Sequence, residues 1–172
     1  MTSLAMMHAA RDGAMRAMII AGEDPALTDP DQTEVVSALK KLDLLVVLEM
    51  HLTATAQLAD YVLPVASFAE KDGTFTNCER RVQRVRQAIE PPNSCLTDWQ
   101  IAGELARRLG YDGLSWQTSE QVFSEMAALT PIFSGMTYDV LAQNQGLQWP
   151  CNDQAPLGSP ILHQQTFPLQ AN

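Results

Sequence analysis

Two short apolar runs separated by a capped helical stretch constrain the fold of this chain more than any other feature. Residues Arg16-Ala-Met-Ile-Ile-Ala21 end at Gly22 and read as a buried strand. Asp29-Pro30-Asp31-Gln32 then announces a helix: Asp29 can cap, Pro30 suits the first turn, and Gln32 sits where a capping box needs it. Val35, Val36, Leu39 and Leu42 follow at helical spacing, with Lys40 and Lys41 at the negative end of the dipole. Leu44-Leu-Val-Val-Leu48 is a second strand. Strand, helix and strand joined by short links make a parallel, right-handed βαβ unit. A helical turn through Thr55–Leu58 leads to a third apolar piece, Tyr61-Val-Leu-Pro64, and Ser3–Arg11 can form a short leading helix. None of the three runs alternates, as expected when helices cover both sheet faces. The expected class is α/β, a partial doubly wound, Rossmann-like parallel sheet with flanking helices.

Beyond residue 65 the pattern changes. Lys71-Asp-Gly-Thr74 signals a turn, Phe75–Asn77 reads as extended, and Arg80–Ile89 mixes four arginines with Val82, Val85 and Ile89 without a clean period. Pro91-Pro92-Asn93-Ser94 breaks the chain. Thr97-Asp-Trp-Gln100 opens a helix that Gly110 stops, and Thr118–Gln121 opens another carrying Val122, Phe123, Met126 and Leu129. Pro131 closes that helix, a short one is expected near Tyr138–Asn144, and loop is expected from Gly146 onward. The expected division is an α/β domain over 1–130 and a helical and irregular extension over 131–172.

Composition sets limits on function. With 46% apolar residues in 172, the chain can bury a real core, while a charged fraction of 18% leaves surface suited to cover by other protein. A net charge of −9 disfavours generic nucleic-acid binding. No run approaches a membrane span, and the first residues lack the sections of a secretory signal, so the expected compartment is the cytoplasm. Cys78, Cys95 and Cys151 are widely spaced without a C-x-x-C, which excludes a zinc ribbon or iron–sulfur cluster built from this chain's own spacing and leaves reduced structural thiols.

In a doubly wound sheet, ligands bind beyond the carboxyl ends of the strands. The loop Gly22–Thr28 lies there: Gly22 lets a backbone approach a ligand, Asp24 can accept hydrogen bonds, and Thr28 offers a hydroxyl near a helix start. From spacing alone it reads more readily as a plain βα loop with an N-cap, and without G-x-G-x-x-G it gives no support to NAD. His51 follows the second strand with no Asp or Cys partner in reach by sequence. Asp98 reads either as a first-turn carboxylate favoured by the helix dipole or as an acceptor for a purine edge. Arg80, Arg81, Arg84 and Arg86 face either a phosphate, an acidic neighbour or solvent. No nucleophile elbow, His/Cys pair or metal-ligand cluster is present, so no catalytic or metal-binding residue is expected.

Gly22-Glu-Asp-Pro25, Leu52-Thr-Ala-Thr-Ala56, Ala59-Asp-Tyr-Val-Leu-Pro64, Glu70-Lys-Asp-Gly-Thr-Phe-Thr-Asn77, Glu79-Arg-Arg-Val-Gln83 and Thr97-Asp-Trp99 together resemble the molybdopterin oxidoreductase superfamily. Gly146-Leu-Gln-Trp-Pro-Cys151 and Pro160-Ile-Leu-His163 resemble its molybdenum- or tungsten-dependent formate dehydrogenase branch, specifically the catalytic subunit. The resemblance implies a molybdopterin guanine dinucleotide cofactor, with Gly22, Glu23, Asp24 and Thr28 forming a loop around one nucleotide and Asp98 contacting it. A carboxylate suits paired hydrogen bonds from a guanine edge. Where the family's formate dehydrogenases often place Gln at the end of the second strand, this chain has Leu48. The resemblance further implies that the metal ligand, catalytic His and Arg and iron–sulfur cysteines belong to an upstream part, and the cofactor-binding barrel to a downstream one. The chain is thus expected to be an inactive fragment of a formate-oxidising subunit, partnered by the rest of that subunit and by electron-transfer subunits. The large iron–sulfur subunit of NADH–quinone oxidoreductase and a non-enzymatic binding module stand as alternatives.

Overall fold

The computed structural model describes residues 2–92 and 95–162. The chain divides into two compact units, one formed by residues 1–67 with 91–101 and the other by 68–90 with 102–172. This division does not follow the 130/131 boundary drawn from the sequence, because a strand near residue 147 pairs back onto a strand near residue 82.

The first unit holds a parallel sheet in the order β1 (Ala17–Ala21), β2 (Leu44–Glu49) and β3 (Tyr61–Pro64). Met18 pairs with Leu45 and Ile20 with Val47, so these four side chains share one face. Helix α1 (Ser3–Arg11) brings Met7 and Ala10 onto that face. Beyond the short α2 (Pro25–Thr28), helix α3 (Gln32–Leu39) brings Val35, Ala38 and Leu39. Burying each of the larger side chains contributes on the order of 2 kcal/mol. The α/β class and the parallel sheet flanked by helices therefore agree with the sequence.

The opposite face departs from it. Ile19, Val46 and Tyr61 line up laterally there, and Ile19 and Tyr61 are 59% and 64% exposed. Among the described residues, α1 and α3 cover one face of the sheet only. The apolar, non-alternating strands have the composition of a two-sided sheet without a second helical layer from their own unit.

The start of α3 is also placed differently. The chain forms α2 directly after the β1 loop, which uses Asp29 to end that turn and leaves Pro30 ahead of the cap. Asp31, not Asp29, caps α3 by accepting from the Glu34 amide at 2.9 Å. Gln32, rather than closing a capping box, donates its side-chain amide to the Leu27 carbonyl at 2.7 Å.

The second unit is built on an antiparallel sheet of β4 (Gly73–Thr76), β5 (Arg81–Val85) and β6 (Leu147–Gln148). The Asn77 side-chain oxygen accepts from the Glu79 and Arg81 amides and shapes the β4–β5 turn, where Arg80 takes a left-handed φ of 67°. Helix α4 (Asp98–Arg108) opens with the expected box, Gln100 accepting from the amide and hydroxyl of Thr97 at 2.9 Å each. Helices α5 (Ser119–Leu129) and α6 (Tyr138–Gln143) supply Phe123, Ala127, Tyr138 and Leu141 to a core with Val82, Met136, Leu147 and Cys151.

The arginine cluster is mostly internal bracing. Arg80 donates to the carbonyls of Trp149, Ser159 and Pro160 and lies 5.3 Å from the Trp149 ring centre. Arg81 pairs with Glu79 at 2.9 Å and donates to the Gly146 carbonyl. Arg84 lies 3.2 Å from the Tyr138 ring centre, and Arg86 is exposed. Over 146–162, expected as loop, the two-residue β6 is the strand and the remainder is mostly irregular, with Gly146, Trp149, Ser159 and Pro160 held by these arginine contacts; residues 163–172 lie outside the described residues. Gly146 adopts a φ of 93°, and a Cβ there would stand 2.6 Å from the Val82 carbonyl oxygen. Gly146→Ala is therefore expected to cost about 2 kcal/mol or more, read as a lowered urea midpoint without loss of helical signal.

Candidate functional site

The carboxyl ends of β1, β2 and β3 share one edge of the parallel sheet, and three segments of the first unit meet along it. The β1 exit is Gly22-Glu23-Asp24, the β2 exit runs from Met50 to Thr55, and the β3 exit reaches Val65, which bridges in parallel to Leu96. The Ala66 amide donates to the Leu96 carbonyl at 3.0 Å. Leu96 thereby brings Thr97 and Asp98, the opening of α4, to the same edge.

Gly22 has a φ of 65° and nothing within 4 Å of where a Cβ would stand. A side chain is excluded there by backbone conformation, and the space beside the backbone is open. Glu23 is exposed, and Asp98 is half-buried in the first turn of α4. Thr28 closes α2 rather than opening a helix, and its hydroxyl donates to the Asp24 carbonyl at 3.0 Å. His51 is exposed on the β2 exit.

Asp24 has a structural task. Its Oδ1 accepts from the Thr55 amide at 2.8 Å and from the Thr55 hydroxyl at 2.6 Å. The same Thr55 oxygen accepts from the Ala26 amide at 3.0 Å, so the β1 and β2 exits are tied through a hydroxyl that is 0% exposed. Burial acts to raise the Asp24 carboxyl, but hydrogen bonds from the Thr55 side chain and from the Thr55 and Ala54 amides outweigh it and hold the group below its ordinary value. Thr55 is the residue that sequence reasoning passed over. Its signal was a Thr at the end of the β2 exit, in a stretch read from the sequence only as a helical turn and for its resemblance.

The edge offers an open glycine backbone, exposed and half-buried carboxylates, and hydroxyls. Among the described residues no group of three or more His, Cys, Asp or Glu could hold a metal ion. Cys78, Cys95 and Cys151 are free thiols, and burial raises the Cys151 thiol above its ordinary value, which keeps it protonated and inert. No helix among the described residues is long and apolar enough to cross a membrane.

A parallel α/β sheet with its loops gathered at the carboxyl edge defines the class: a domain of the open-sheet α/β type. The molybdopterin oxidoreductase family model matches residues 1–108, and the chain belongs to that family. The family implies a molybdopterin cofactor. The chain is 45% identical over 168 residues to the F420-dependent formate dehydrogenase 2 subunit alpha of Methanococcus maripaludis, covering 97% of this chain and 25% of that protein. It is 49% identical over 151 residues to the F420-dependent formate dehydrogenase subunit alpha of Methanocaldococcus jannaschii, covering 87% and 22%. It thus spans about a quarter of the length of the curated relatives it matches. Among solved structures, acetylene hydratase from Pelobacter acetylenicus matches with a TM-score of 0.63 at 22% identity, over 85% of this chain and 20% of that one, a likeness of fold.

Proposed function

We propose that this chain is a segment of the catalytic subunit of a molybdopterin-dependent formate dehydrogenase, and that it forms one side of a pocket for a guanine dinucleotide. The observation that carries the reading is the carboxyl edge of the parallel sheet, where an open Gly22 backbone and the α4 opening with Asp98 come to the same side. In this reading Gly22 lets the dinucleotide backbone approach, Glu23 and Thr28 offer polar groups beside it, and Asp98 accepts paired hydrogen bonds from the guanine edge. Asp24 holds the loop in shape through Thr55, and its remaining acceptor capacity faces the nucleotide. The bound molybdopterin group supplies the redox centre for oxidation of formate to CO2. The metal, molybdenum or tungsten, and the iron–sulfur clusters that take the electrons belong to other parts of the subunit and to partner subunits.

The chain alone is inactive in this reading, since the metal ligand and the catalytic residues are assigned to other parts of the subunit, and no group of three His, Cys, Asp or Glu among the described residues could hold a metal ion. Support for the formate branch comes from the named relatives. None of the relatives named above carries the alternative readings, a scaffold role in NADH–quinone oxidoreductase or a free-standing binding module.

Asp98→Ala in the full-length subunit is expected to lower retained guanine dinucleotide, measured by release of GMP on acid hydrolysis, several-fold. Asp98→Glu restores part of it. Unchanged nucleotide content in Asp98→Ala would remove Asp98 from the pocket.

The exposed sheet face offers a separate check. If the rest of the subunit covers it, Ile19→Ser changes the stability of the 172-residue chain by less than about 0.5 kcal/mol. In the full-length subunit it costs about 2 kcal/mol, because a buried apolar side chain is replaced there. Equal small shifts in both proteins would mean that the face stays open.

A further inference from the structure

The second unit contains a cavity of about 320 Å³ that the dinucleotide reading does not use. Arg84 and Arg86 enter it from the end of β5, Thr118 and Ser119 from the start of α5, and Tyr138 and Asp139 from the start of α6. Among the described residues neither arginine forms an ion pair, although Asp72, Glu120 and Asp139 line the same space. Arg84 is held against the Tyr138 ring, and its Nε is buried with no hydrogen-bond partner. A stacked guanidinium is fixed in orientation, so its unused N–H edges point in set directions rather than sampling solvent. The Thr118 hydroxyl caps α5 through the Gln121 amide, and Tyr138 donates its hydroxyl to Ser119 at 3.0 Å. First-turn amides of such a helix have no acceptor within the helix.

We propose that this cavity binds a carboxylate group. Two guanidiniums that make no ion pair among the described residues, one of them stacked on the Tyr138 ring, provide the planar donor pairs that a carboxylate accepts. The α5 opening adds donors of the same sense. The three acidic side chains in the lining limit the charge that can enter, so a monoanion is favoured over a phosphate dianion. The carboxylate has two sources: a free small acid, or an acidic side chain from the remainder of the subunit.

The test is acetate titration of the full 172-residue chain at constant ionic strength, followed by amide shifts of Ser119 and Glu120, with inorganic phosphate and chloride as controls. Acetate is expected to saturate these shifts, with phosphate weaker and chloride inert. Arg86→Ala, an exposed position, is expected to weaken acetate about tenfold with the melting temperature unchanged. Arg84→Lys, which keeps the charge and loses the fork, weakens it as well. Saturation in the chain but not in the full-length subunit assigns the carboxylate to that subunit's own acidic side chain, and saturation in both assigns it to a free acid. Absence of acetate-specific shifts in the chain, or an unchanged response in Arg86→Ala, would overturn the proposal.

Discussion

Asp24→Ala is expected to destabilise the chain by about 3 kcal/mol, lowering the melting temperature by roughly 6–12 °C in thermal denaturation. The substitution removes an acceptor for two hydrogen bonds at 2.8 and 2.6 Å and leaves the amide and hydroxyl of a fully buried Thr55 without their partner. The loss is large because an unmet buried donor costs its full desolvation, whereas the bond itself contributes only a modest net amount. Asp24→Asn keeps an acceptor and is expected to recover about half of the loss. The pH dependence follows from the direction of the shift. The folded Asp24 carboxyl sits below its ordinary value, so its contribution is present above the unfolded value of about 4. It is lost as the pH falls below that value and through the lower folded one. Wild type should lose stability across that acid window more steeply than Asp24→Asn. Parallel curves for the two would mean that the Thr55 bonds do not discriminate between charged and neutral forms.

Leu45→Ala is the second large effect, about 3 kcal/mol. Leu45 is 1% exposed at the centre of the first unit, packed with α1, α3 and the neighbouring strands. Its backbone is fixed from outside, since Leu45 donates to the Asp60 carboxylate at 2.7 Å and accepts from the Asp60 amide at 2.9 Å. With the main chain held on both sides, the strand cannot move inward to fill the space, and the cavity remains. Leu45→Met, which keeps the volume, should cost less than about 1.5 kcal/mol. The two urea midpoints check the contrast: equal losses would mean that Leu45 matters through something other than filled volume. Because β2 sets the position of the Met50–Thr55 exit, Leu45→Ala should also loosen the carboxyl edge, seen as faster amide exchange at Thr55.

Much of the first unit was legible because its information is local. Apolar runs at 16–21, 44–48 and 61–64, helical spacing between the first two, and Gly22 at the first strand's end specify a parallel βαβ sheet, observed as strands at 17–21, 44–49 and 61–64. The same is true of the helix openings at Thr97 and Thr118, where side chain and amide are three residues apart. Other features depend on residues distant in sequence. The Asp24–Thr55 tie spans 31 residues and gives Asp24 a bracing task in its own loop that chain order did not reveal. The Arg80 contacts to Ser159 and Pro160 span 79 and 80, and they make a clamp of the second unit from a basic stretch whose partner, phosphate, acidic neighbour or solvent, the sequence left open. Strand β6 has only two residues, too few for any period, and exists because β5 offers it an edge. The sequence by itself determined the α/β class, the parallel order and the glycine at the sheet's carboxyl edge. Only the tertiary structure decided which polar side chains are used up inside the chain and which face of the sheet stays open, because a side chain's hydrogen bonds and burial are set by neighbours that chain order does not bring together.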